Sequence, residues 1–399
     1  MINAKMFQDH SKKSFRDQNF DIPHGEEGST TDRPLIVQFC ANDPDMLLAS
    51  AKYVEAHCDA VDINLGCPQD IAKRGRYGAF LQDDWDLIYK LINVLHTKLS
   101  VPVTAKFRIF PSIEKTVEYA KMIERAGAQI ITCHGRTREQ RGQNAGLASY
   151  EHIRAVKDAV SVPVFANGNI LFHEDIQACL DATGCDGVMS AEGQLYNAAL
   201  FASASHSHSP EGSIVDPQLL PGFHPRHADL ALEYLSIVST LKTRTSPSAI
   251  KGHLFKLMRP ALSRETDLRE RLGRVRAKEG KDGRLSKEGI QEYVNIAQEM
   301  KTRMDAQAAE VEGPWTEQIV TEPTTGLRIL PHWLAQPYFR PLKPAPSSVQ
   351  SVEASQASTK RSRSEITPEP SQHSGTEEPP KRPKLDEPMV DVKIDFVAG

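Results

Sequence analysis

Between residues 33 and 201 the chain alternates short, almost continuously apolar β-rich runs with helix-length amphipathic stretches, and this alternation constrains the fold most. The runs are Leu35-Ile-Val-Gln-Phe-Cys40, Ala60-Val-Asp-Ile-Asn-Leu65, Val103-Thr-Ala-Lys-Phe-Arg108, Gln129-Ile-Ile-Thr-Cys-His134, Val162-Pro-Val-Phe-Ala166 and Gly187-Val-Met-Ser190. Strands this apolar are buried on both faces, as in a parallel sheet covered by helices. Helix starts fall between them: Asp43-Pro44, Asp83, Ser112 and Ser149 supply caps, and Gly127 a stop. The pattern predicts an α/β fold, a TIM-type β/α barrel. Six strand–helix units are visible and residues 1–20 read as a helical fragment; a closed barrel needs eight strands, so either two are missing from this sequence or the sheet is open. Polar residues gather just after each run, which in a barrel is the rim that carries chemistry.

The barrel is expected over residues 1–210. Residues 225–310 lack strand signals and read as a helical domain. Its apolar faces are Leu230, Leu232, Tyr234, Leu235, Val238 and Leu241; Ile250, Leu254, Leu257 and Leu262; and Ile290, Tyr293, Ile296 and Met300. Residues 311–344 form an irregular extension. From residue 345 the chain is rich in Ser, Pro, Glu and Lys and nearly without aromatics, so a disordered low-complexity tail is expected. Its clusters Lys360-Arg-Ser-Arg363 and Pro379-Pro-Lys-Arg-Pro-Lys384 look like nuclear-import signals, giving an expectation of cytoplasmic and nuclear residence.

The longest apolar runs are strand-length, too short to cross a bilayer, and no secretory pattern opens the chain. The six cysteines show no CxxC pair and no zinc-like spacing, so reduced intracellular thiols and no metal are expected. The net charge is only −4, so any nucleic-acid contact must come from local asymmetry. Residues 242–303 supply one, with 16 Lys/Arg against 8 Asp/Glu. Such an excess serves either a solvated helical surface or phosphate contact with counterion release.

Four rim segments carry chemistry. Asp62-Ile-Asn-Leu-Gly-Cys-Pro68, followed by Gly75, Gly78 and Ala79, ends a strand on a turn that presents Cys67. On the next run, Lys106 and Arg108 alternate onto one face, where two inward cations need an anionic partner: either Asp62 or a ligand. His134-Gly-Arg-Thr137 follows, with Arg138 and Arg141 nearby. Asn167-Gly-Asn169 and Ser190-Ala-Glu-Gly193 end the last two runs, where barrels often cradle phosphate on backbone amides.

These motifs, with Asp186-Gly-Val-Met189, occur in the order found in tRNA-dihydrouridine synthases, and the chain resembles that family over residues 1–201 strongly and over the helical region more loosely. Ser190-Ala-Glu-Gly193 resembles the eukaryotic subtype acting at tRNA positions 16 and 17. The resemblance implies FMN reduced by NADPH or NADH, hydride delivery to uracil C6, and protonation of C5 by Cys67. It assigns flavin contacts to Gln38, Lys106, His134, Asn167, Gly168, Asn169, Ala191 and Glu192, and substrate contacts to Asn64, Arg108, Arg136 and Arg138. It also implies a uridine extruded from its stack, tRNA gripped by the basic helical region, and a monomeric enzyme. Family members carry two leading strands with flavin contacts before a motif like Met1-Ile-Asn-Ala-Lys-Met-Phe7, so both are expected to be absent here. Two alternatives remain open: another FMN β/α-barrel oxidoreductase acting on a small pyrimidine, and a non-catalytic RNA-binding relative.

Overall fold

Seven parallel strands hydrogen-bond in sequence order in the computed structural model, which describes residues 1–9, 11, 13–142, 145–202, 223–276, 286–323 and 327–338. They are β1 (Ile2–Asn3), β2 (Ile36–Cys40), β3 (Ala60–Leu65), β4 (Val103–Arg108), β5 (Ile130–His134), β6 (Val164–Asn167) and β7 (Gly187–Met189). Each is followed by helix: α1 (Ala4–Gln8) and α2 (Lys13–Asn19), α3 (Pro44–Val54), α4 (Asp70–Gly75) and α5 (Trp85–Lys98), α6 (Ile113–Ala126), α7 (Tyr150–Ala159), α8 (Glu174–Thr183) and α9 (Glu192–Tyr196). Parallel strands in chain order with helical crossovers are the β/α-barrel arrangement.

The count corrects the expectation of six strands. Ile2 and Asn3 pair in parallel with Phe39 and Cys40, so the opening residues are strand before they are helix. Asn3 then caps α1, its side-chain oxygen accepting the Met6 amide at 3.0 Å. Two residues carry no periodicity, so only the pairing partner reveals this strand. A second correction concerns α5: its cap is Asp84, which accepts the Leu87 amide at 3.1 Å, while Asp83 pairs with Arg138 across the rim.

Strand alternation divides the sheet into two faces. Val61, Ile63, Leu65, Val103, Ala105, Phe107, Ile131, Cys133, Val164 and Ala166 are fully buried under the helices. Phe107 meets Tyr119 of α6 edge-on, with centroids 5.3 Å apart. The opposite face is polar: Gln38, Asp62 and Thr104 share one row, Asn64, Lys106 and Thr132 the next, and Arg108, His134 and Asn167 the last. The rows end at the C-terminal edge, so sequence order alone carries the polar side chains to one rim.

The described residues between 227 and 309 form the expected helices: α10 (His227–Thr240), α11 (Pro247–Leu257), α12 (Arg259–Leu262), α13 (Thr266–Arg274) and α14 (Lys287–Ala309). Leu235, Ile250, Leu254, Leu257, Leu262, Tyr293, Ile296 and Met300 bury together in their own core. The extension contributes a two-stranded antiparallel ribbon, β8 (Val320–Thr321) and β9 (Arg328–Ile329), where irregular chain was expected. The helical region docks on the β6–β7 side, with His173 stacked on Phe223 at 4.1 Å and Asn197 donating to the Phe223 carbonyl at 2.7 Å. Arg328 also pairs there with Glu174. The low-complexity tail and both basic clusters lie outside the described residues. No helix among the described residues is long and apolar enough to cross a membrane.

Candidate active site

Asn64 shapes the turn that presents Cys67. Its side-chain oxygen accepts the Gly66 amide at 3.1 Å and the Cys67 amide at 2.9 Å, and its Nδ2 donates to Gln38 at 2.9 Å. Gln38 in turn donates to Asp62 at 2.8 Å, and Thr104 donates to the other Asp62 oxygen at 2.5 Å. A buried relay therefore runs from the barrel floor to the cysteine turn. Burial raises the Asp62 carboxyl, opposed by its Thr104 and Gln38 hydrogen bonds and by Lys106. The thiol sits among Cys40, Ala72 and Tyr77. Gly78 closes the turn at φ 64°; a Cβ there would fall 2.8 Å from the Cys67 carbonyl oxygen.

Lys106 and Arg108 separate in role. Arg108 donates to the carbonyls of Gly66 at 2.9 Å, Thr137 at 2.9 Å and Gln140 at 3.0 Å. The anionic partner expected for it is replaced by backbone oxygens, and it clamps the loop after β3 to the loop after β5. Arg138 and Arg141 repeat the clamp, onto Asp83 at 3.1 Å and onto Asp70 at 2.9 Å with the Pro68 carbonyl at 2.8 Å. Lys106 is half-buried and makes no hydrogen bond among the described residues; burial and the neighbouring Arg108 pull its ammonium down to about 8. The Asp62 pairing considered for it is reduced to proximity.

His134 closes the next row. Burial, reinforced by the Lys106, Arg108 and Arg136 cations, keeps its imidazole neutral at ordinary pH. Arg136 contacts its Nε2 at 3.1 Å and donates to Asn169 at 3.0 Å. Asn167 donates to the Met189 carbonyl at 2.7 Å, tying β6 to the end of β7. Gly168 takes φ 116° and Asn169 φ 63°, and their amides find no partner among the described residues. Ala191 and Glu192 lie at the start of α9. The Glu192 carboxylate supports the charge of Lys256 on α11 against the lowering effect of burial. The rim thus gathers Gln38, Asn64, Cys67, Lys106, Arg108, His134, Asn167, Gly168 and Asn169, while Glu192 faces the helical region. Tyr77 was missed by sequence reasoning, since a loop aromatic carries no positional signal of its own; Arg141 was noted only as lying near the His134 motif. All six cysteines are unpaired and buried, and no metal-binding group of three His, Cys, Asp or Glu occurs among the described residues.

The sequence profile of dihydrouridine synthase (Dus) matches residues 1–295. The tRNA-dihydrouridine(16/17) synthase (NAD(P)(+)) of Saccharomyces cerevisiae is 43% identical over 348 residues, covering 86% of this chain and 77% of that protein. Its counterpart in Schizosaccharomyces pombe is 44% identical over 353 residues, covering 86% and 81%. The corresponding "-like" protein of Rattus norvegicus is 46% identical over 311 residues, and there the chain spans 62% of its relative's length.

Proposed function

This chain belongs to the dihydrouridine synthase family, and from that premise we propose that it reduces uridine in the D-loop of tRNA to 5,6-dihydrouridine, with FMN as resident flavin and NADPH or NADH as reductant. The observation that carries the proposal is the Cys67 turn, fixed by Asn64 at the end of β3, on the rim that also holds Lys106 and His134.

The residues present fit a flavin phosphate. A half-buried ammonium without a hydrogen-bond partner suits a ring edge that gains negative charge, and the unpartnered Gly168 and Asn169 amides suit a phosphate. Lys106, His134, Gln38 and Asn167 would hold the ring, and Gly168, Asn169, Ala191 and Glu192 the phosphate end. When bound, FMN supplies the hydride that uracil takes at C6. Cys67 Sγ gives its proton to C5, saturating the C5–C6 bond and leaving a thiolate. Asn64 and Arg108 position the loop that bears this thiol, and Arg136 and Arg138 frame the uracil from the loop after β5. The neutral His134 donates or accepts a hydrogen bond without adding charge.

The family match sets aside the small-pyrimidine oxidoreductase. Residence in the cytoplasm and nucleus belongs to the same proposal and rests on the basic clusters of the tail. Mapping dihydrouridine in tRNA from cells lacking this gene tests the activity: its loss at positions 16 and 17 is expected, and an unchanged map would overturn the assignment.

A further inference from the structure

Beside the cysteine loop lies a cavity of about 390 Å³ between β1, β2 and the end of α4, within the size range of small-ligand sites. Three cations line it, Lys5, Arg74 and Arg76. All three are exposed, and none makes a side-chain hydrogen bond or ion pair among the described residues. The carboxylate on the wall, Asp43, is turned to its own helix, accepting the Asp45 and Met46 amides at 3.0 Å each.

Several other basic groups of the rim and helical region are already paired, although Arg244, Arg264, Arg269 and Arg276 are exposed without a side-chain partner among the described residues. Arg108, Arg138 and Arg141 are committed to the loop clamps. In the helical region expected to grip RNA, Arg271 pairs with Glu299 and Arg274 with Glu270, while Arg303 pairs with Glu265, Asp267 and Glu299. Arg74, in the last turn of α4, has an ordinary explanation in the helix dipole. Arg76 does not share it. It follows the helix at φ 53°, a left-handed position where glycine is the usual occupant. Lys5 comes from a different element altogether.

The cavity also touches the chemistry. Cys40 and Tyr77 line it and belong to the small cluster enclosing Cys67. We propose that Lys5, Arg74 and Arg76 bind backbone phosphate of the tRNA next to the extruded uridine, anchoring the strand where the base enters. This rests on the reading of the chain as a tRNA-modifying enzyme. A nucleotide coenzyme carries phosphate too, so the test must separate the two sources.

The test uses the full chain with the neutral variant R74Q/R76Q and the charge-keeping variant R74K/R76K. Binding of an unmodified tRNA transcript is followed against salt, and flavin reduction is followed with NADPH and with NADH. Loss of two phosphate contacts should make the slope of log Kd against log salt shallower by about 1.5. R74K/R76K should keep the wild-type slope, and both coenzymes should reduce the flavin of R74Q/R76Q at the wild-type rate. An unchanged slope in R74Q/R76Q overturns the assignment while leaving the enzymatic function standing. Slower reduction by NADPH alone, with tRNA binding intact, overturns it in favour of the coenzyme phosphate. A wild-type chain that bound no tRNA at low salt would overturn the site and the proposed function together.

Discussion

Asn64 holds the backbone of Cys67: one side-chain oxygen accepts the amides of both Cys67 and Gly66, at 2.9 and 3.1 Å. The thiol's position is therefore set by a hydrogen-bonded turn. Asn64→Ala would leave two buried amides unpartnered and loosen that turn. Misplacing a reacting group by about 1 Å costs on the order of 10²-fold in rate. A drop of that order in single-turnover dihydrouridine formation is expected, with tRNA affinity retained. A wild-type rate in this variant would detach the turn from the chemistry.

Lys106 gives a pH dependence with a definite sign. Its folded pKa is lowered to about 8 by burial, below the ordinary lysine value of about 10.4. Between those limits the unfolded chain binds more protons than the folded one, so flavin-free protein should gain stability as pH rises through 8 towards 10. FMN affinity should fall over the same interval, as the cation proposed to face the ring discharges. Lys106→Met should remove both trends while weakening FMN binding at pH 7. Titrating melting temperature and flavin Kd in parallel checks this; a flat affinity profile in the wild type would remove Lys106 from the flavin site.

Phe107 tests the core that keeps the rim in register. It is fully buried behind Lys106 and Arg108 and packs edge-on against Tyr119. Phe107→Ala should cost about 3–5 kcal/mol of stability in urea unfolding. A loss below about 1 kcal/mol would mean that this face of β4 repacks freely.

Legibility in the sequence followed the length of each pattern. β2 to β7 announced themselves because short β-rich runs recur between capped helix-length stretches, and only their edges moved: β6 opens at Val164, since Pro163 has no amide to give the ladder. β1 was hidden because Ile2 and Asn3 are too few to show a period. The helical faces around Leu254 and Ile296 were legible for the same reason as the strands. Within the site, Cys67, Lys106 and His134 stood out by residue type at strand ends. The part played by Arg108 did not. Its partners are carbonyls of Gly66, Thr137 and Gln140, and backbone acceptors on distant loops leave no mark in composition or spacing. The pairing of Arg271 and Arg274 escaped for a related reason: counting 16 basic residues could not show which were already paired, Arg271 with Glu299 of α14 and Arg274 with Glu270 within α13.

The Cys67→Ala variant, assayed for dihydrouridine in a tRNA transcript by mass spectrometry alongside its flavin content and tRNA affinity, examines the proton donor itself. Removing a positioned acid lowers such rates by typically 10²–10⁴-fold. Flavin and tRNA should both stay bound while product formation falls by that factor. Dihydrouridine made by this variant at the wild-type rate would contradict the assignment of Cys67 as the acid.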